Sequence, residues 1–169
     1  MIPRRLPFVL SIALATLLAG CGFHLRKEVD LPSSMKRVHI DIADRSSPLG
    51  KDLAKALPRS GTEVVDTVEP GVAVMKISAN TMATDVLSVG GTARANEYAI
   101  RYHVEFEVDD PAGTALLPKQ TIELSREFTF DATQALGVAA ETDLLTRELE
   151  HDMVQTILRR LEALARAGH

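Results

Sequence analysis

The sequence predicts an α+β two-layer sandwich: a four-stranded mixed sheet with two helices packed on one face, in the order β-α-β-β-β-α. Three observations carry this. Each strand candidate alternates apolar and polar residues, so each has one apolar face. Two other segments repeat apolar residues at helical spacing. The first helix lies between two strands, which favours a parallel pair, whereas turn signals join the later strands and favour antiparallel pairing.

The elements follow in order. Val38, Ile40 and Ile42 alternate with His39 and Asp41, which predicts a short half-buried strand. Ser47-Pro48 then supplies an N-cap and a first-turn proline. Leu49, Leu53, Ala56 and Leu57 share one helical face, Pro58 stops the run, and Ser60-Gly61 turns the chain. A second strand is predicted over residues 72–80, with Ala73, Met75, Ile77 and Ala79 facing one way. Residues 81–96 contain the turn signal Ser88-Val89-Gly90-Gly91-Thr92 and fit a long hairpin or a loop. The third strand runs Tyr98, Ile100, Tyr102, Val104, Phe106, Val108 on one face, with Arg101, His103, Glu105 and Glu107 on the other. Asp110-Pro111-Ala112-Gly113 forms the next turn. The fourth strand, residues 121–130, puts Ile122, Leu124, Phe128 and Phe130 together, opposite Glu123, Ser125 and Glu127. A final helix begins near Ala139 and runs to about Ala167, with Leu145, Leu149, Met153, Ile157, Leu161 and Leu164 as its stripe. Acids dominate its first half, and Arg159, Arg160 and Arg166 crowd its last turns, which complements the helix dipole.

The chain has 169 residues, 46% hydrophobic and 25% charged, an ordinary globular balance for one domain. It lacks tryptophan and has seven Phe and Tyr, so its core must be aliphatic. A single cysteine excludes an internal disulfide and a cysteine-cluster metal site. The net charge of −4 argues against a nucleic-acid partner.

The N-terminus reads as a secretory signal. Arg4 and Arg5 precede an apolar stretch over residues 8–18, too short to span a bilayer, and small residues follow. Leu18-Ala19-Gly20-Cys21 resembles the bacterial lipobox. That resemblance implies cleavage between Gly20 and Cys21, a thioether-linked diacylglycerol on Cys21 and acylation of the new amino group. Two or more chains anchor stably where one is marginal. Gly22 stands where an inner-membrane retention aspartate would, so the outer membrane is expected. The predicted organisation is therefore a signal over 1–20, a lipidated tether over 21–35 and one α+β domain over 36–169. Loss of Arg4 and Arg5 leaves 17 basic against 23 acidic residues, a net −6.

Cys21-Gly22-Phe23-His24-Leu25-Arg26, followed by Leu31-Pro32 and Met35, resembles the start of the LptE family of lipopolysaccharide (LPS) assembly lipoproteins. Ser47-Pro48-Leu49 at the first helix, Glu97-Tyr98 at the third strand and Arg126-x-Phe128-x-x-Asp131 at the fourth extend the resemblance over the mature chain. The chain departs from the pattern in ending at His169, without a long polar tail, and in having Gly90-Gly91 where a basic loop is expected. The resemblance implies a non-enzymatic role without a cofactor. The chain would be the plug and 1:1 assembly partner of the outer-membrane β-barrel LPS translocon (LptD-like), standing in its lumen from the periplasmic side and binding LPS. The alternative is an auxiliary lipoprotein of another envelope lipid transport system.

Enzymatic motifs are missing: no serine sits in a Gly-x-Ser-x-Gly setting, and no Gly-rich loop ends in Lys-Ser/Thr. His39-x-Asp41 and His103-x-Glu105 each offer two metal ligands on a strand face, where three or four are needed. Glu105, Glu107, Glu123 and Glu127 could pair carboxylates across strands, but such a row reads first as a solvated face. LPS carries phosphates, so an acidic protein must meet it through a local basic patch. Arg94, beside the glycine loop, is the first LPS-binding candidate, with Arg101 and Lys119 as neighbours across a hairpin. Arg126 falls by alternation on the apolar side, between Leu124 and Phe128. There it must pair with a helix acid or loop carbonyl, or reach out to the barrel or an LPS phosphate.

Overall fold

The structure, a computed structural model, describes residues 31–89, 95–129 and 135–167. Its elements are β1 (Arg37–Ile42), α1 (Pro48–Ala56), β2 (Glu63–Val65), β3 (Ala73–Val89), β4 (Ala95–Asp109), β5 (Ala115–Thr129) and α2 (Ala135–Ala167). The expected α+β layering holds, but the sheet has five strands in the order β2-β1-β3-β4-β5 rather than four. The extra strand is β2, three residues long and parallel to β1. So short a strand shows no alternation, and it follows the Ser60-Gly61 turn directly.

β1 lies parallel to both β2 and β3, and β3, β4 and β5 form an antiparallel meander. Alternation explains the packed face. Val38, Ile40 and Ile42 of β1 join Ile100, Tyr102, Val104, Phe106 and Val108 of β4 and Ile122 of β5 in one core. Leu49, Leu53 and Leu57 cover it from α1 and its extension. Leu149, Met153, Val154, Ile157, Leu158 and Leu161 cover it from α2, so both helices lie on one face. Phe106 is fully buried; burial of a side chain of this size contributes about 1.5–3 kcal/mol. Ser33–Met35, inside the stretch expected as tether, forms a 3-10 turn that buries Met35.

Ser47 caps α1 by accepting from the Gly50 amide at 3.2 Å, and Pro48 occupies the first helical position. The helix tightens into a 3-10 turn over Leu57–Ser60 and ends on Gly61, whose φ of 77° suits only a residue without Cβ strain. Asp110 closes the β4–β5 turn, its carboxylate accepting from the Ala112 and Thr114 amides at 2.8 Å.

Three boundaries differ from expectation. The second strand of the sequence continues to Val89, so the described part of residues 81–96 is strand. The final strand begins at Ala115 instead of residue 121, and α2 begins at Ala135. Phe130 lies outside the described residues. One facing is also corrected. A bulge at Ser78 shifts the register, so Ile77 pairs with Phe106 but Ala79 with Glu105 and Asn80 with Val104. Ala79 therefore joins the polar face, and Asn80 the helix side, where its Oδ1 accepts from the Tyr102 hydroxyl at 2.8 Å.

Candidate functional site

The sheet face opposite the helices is a charged surface. β4 alternation aims Arg101, His103, Glu105 and Glu107 there, and β5 adds Lys119, Glu123, Ser125 and Glu127. Arg101 Nε stands 2.9 Å from Asp85 on β3, and its guanidinium 3.8 Å from Glu123 on β5. Lys119 Nζ donates to Glu105 at 3.1 Å, and Ser78 donates to the same carboxylate oxygen at 3.3 Å. Lys119 holds Glu105 below the usual carboxylate range, with Ser78 and His103 adding to the effect. Lys76 donates to Asp109 at 2.7 Å, which raises its ammonium above the ordinary range. Charges thus cross-link the three longest strands where aliphatic packing is missing.

Of the expected LPS-binding residues, the structure brings Arg101 and Lys119 onto this face, at separate ion pairs. Arg126 is on the other face, as alternation predicts, facing Ile100 across the ladder. Its Nη2 donates to Asp152 of α2 at 2.6 Å, and its Nη1 to the Ser125 carbonyl at 3.1 Å. Asp152 was not singled out in the sequence; its place on the sheet-facing edge of α2 was the available signal. Arg94, Gly20 and Cys21 lie outside the described residues.

In the two candidate ligand pairs, His39 and Glu105 have partners outside the pair, Glu105 through Lys119. His39 Nδ1 lies 3.2 Å from the Val65 carbonyl and against Arg45, which also pairs with Asp66 at 3.1 Å. His103 lies 3.6 Å from Glu105. Among the described residues no three His, Cys, Asp or Glu side chains are grouped to hold a metal. No helix there is long and apolar enough to cross a membrane. A cavity of about 300 Å³ opens between α1 and β1–β2, floored by Ile40, Ile42 and Val64 and edged by Arg45, Lys51 and Lys55.

One packed and one open, ion-paired sheet face define a small two-layer α+β domain of the kind seen in bacterial lipoproteins. Solved structures of this kind include an uncharacterized lipoprotein B from Nitrosomonas europaea (TM-score 0.73, 32% identity, 87% of this chain and 94% of that one). A rare lipoprotein B from Shewanella oneidensis shares the fold at TM-score 0.67, with 24% identity over 79% of this chain and 99% of that one. The chain belongs to the LptE lipopolysaccharide-assembly family, whose model matches residues 35–161. It is also similar to the LPS-assembly lipoprotein LptE of Photorhabdus laumondii, 26% identical over 94% of this chain and 86% of the relative. The Pectobacterium atrosepticum protein of the same name is likewise 26% identical, with the same coverage.

Proposed function

We propose that this chain is a lipid-anchored plug and assembly partner of an outer-membrane β-barrel LPS translocon, bound 1:1 in the barrel lumen from the periplasmic side. Membership of the LPS-assembly family carries the reading. The open sheet face supports it: a barrel lumen is lined by polar side chains, and a plug needs a polar surface to meet them. Cys21 would carry the anchor after cleavage behind Gly20. The anchor confines the domain to the membrane surface, which raises its effective concentration at a barrel in the same membrane.

LPS contact is assigned to Arg94, Arg101, Lys119 and Arg126. Three of these have carboxylate neighbours: Asp85 and Glu123 for Arg101, Glu105 for Lys119 and Asp152 for Arg126. An LPS phosphate would have to exchange with those carboxylates or join them, so binding should weaken with salt. Nothing in this role requires turnover or a cofactor.

The test is extraction of outer membranes in mild detergent and pull-down of the tagged lipoprotein. A stoichiometric, salt-resistant β-barrel of much larger mass is expected. Recovery with a periplasmic or inner-membrane complex instead would move the chain to another lipid transport system.

A further inference from the structure

Among the described residues the sheet exposes backbone edges in three places, and they are protected unequally. β2 is an edge of three residues, too short to template another strand. β5 is the opposite edge and carries Pro118, Lys119, Glu123, Arg126 and Glu127. Proline and charge are the devices by which natural edges resist pairing. The third place is the upper half of β3. β1 pairs with β3 only from Ala73 to Ile77. Beyond Ile77, no strand among the described residues lies on that side of β3, while β4 fills the other.

This free edge has none of the usual protection along its regular part. Between the bulge at Ser78 and the irregularity after Val86 runs Ala79-Asn80-Thr81-Met82-Ala83-Thr84-Asp85-Val86. Those eight residues span roughly 27 Å at strand spacing. They include no lysine and no proline, and their one charge, Asp85, is already paired to Arg101. Met82 is 37% exposed and Val86 54%, although both lie on the helix side of the sheet. Asn80 and Thr84 alternate with them on that side. Two exposed apolar side chains beside an open backbone edge suit strand addition, in which main-chain hydrogen bonds give affinity and alternate side chains give specificity.

We propose that Ala79–Val86 of β3 receives an extended segment of the barrel protein as an added strand. The inference rests on the plug reading above and names the contact through which the plug is held. The occupant is extended and uncharged, with aliphatic residues at alternate positions facing Met82 and Val86. A closed barrel has no free edge of its own, so the segment comes from a loop or terminus of that protein.

The test uses the full-length lipoprotein co-expressed with the barrel. Thr84→Lys and Val86→Lys place a protecting charge on the β3 edge, and Glu148→Lys, exposed on α2, is the control. Both β3 variants are expected to reduce co-purified barrel at least tenfold with unchanged Tm, while Glu148→Lys retains it. Photo-crosslinkers at Met82 and Thr84 give a readout independent of variant stability. Strand addition requires their products to map to one barrel segment, about two residues apart. Wild-type recovery of the barrel with scattered crosslinks, or with unaffected lysine variants, overturns the added strand and leaves the plug. Crosslinks to a second copy of the chain overturn it in favour of self-association. A wild-type protein that brings no barrel overturns both readings.

Discussion

Arg126 Nη2 stands 2.6 Å from Asp152 Oδ2, tying β5 to α2 at a position where alternation calls for an apolar side chain. The two side chains are 40% and 44% exposed, so solvent screens them and the pair is worth little despite its short distance. A double-mutant cycle with Arg126→Met and Asp152→Ala should give a coupling of about 0.2–1 kcal/mol in urea unfolding. A coupling well above that range would show that the pair is less hydrated than its exposure indicates.

Tyr102 is 3% exposed, and its hydroxyl donates to Asn80 across the β3–β4 ladder. Burial, with the Glu150 charge, pushes its phenol up to about 12. The unfolded phenol ionises near 10, so between pH 10 and 12 the folded state binds the extra proton. Stability is therefore complete below pH 10 and falls as pH rises through that window. Tyr102→Phe should lose about 0.5–1.5 kcal/mol at neutral pH and lose part of the alkaline slope. Denaturant midpoints at pH 8 and 11 measure both effects.

Glu150 titrates in the same direction on the acid side. Burial, then the Asp52 charge from α1, raises its carboxyl above the ordinary range, and Arg147 offsets part of this. The folded state then holds the proton more tightly than the unfolded chain, so stability falls as pH rises through the raised pKa. Glu150→Gln should raise Tm at pH 8 and leave it nearly unchanged at pH 4. An equal gain at both values would trace the effect to packing instead of charge.

Thr62 is 2% exposed, and its hydroxyl has no hydrogen-bond partner among the described residues. Thr62→Val keeps the shape and removes the unpaired oxygen. It should stabilise the domain by about 1 kcal/mol or more, read from thermal or urea unfolding. A loss would mean that an ordered water serves the hydroxyl.

LPS binding separates the candidate bases from a bystander. Arg94→Glu and Arg101→Glu should weaken LPS binding more than Lys55→Glu, whose lysine sits on α1 beside Asp52. A displacement assay at fixed salt measures this, and equal losses in all three would remove the assignment.

Much of the architecture was legible because burial writes a period into the chain. β4 is the clearest case: five consecutive alternate residues, Ile100 to Val108, are buried. The α2 stripe from Leu149 to Leu161 and the Ser47-Pro48 cap were equally readable. β2 was not, because its pairing with β1 reflects where the turn after α1 delivers it. The bulge at Ser78 was also hidden, since Ser78-Ala79-Asn80 suits either register and only the ladder with β4 chooses one. For the candidate site, alternation put Arg126 on the apolar side but left its partner open.

Local side-chain chemistry along one chain thus marked the layers and the caps, and it alone is the ground for expecting an anchor at Cys21 and for the resemblance to LPS-assembly lipoproteins. Those features depend on residues near one another in sequence. Strand order, the Ala79 facing, the Arg126–Asp152 and Arg101–Asp85 pairs and the end of β1–β3 pairing at Ile77 needed the folded molecule. Each depends on which distant segments meet, and a sheet edge exists only once the strands that do pair have been placed.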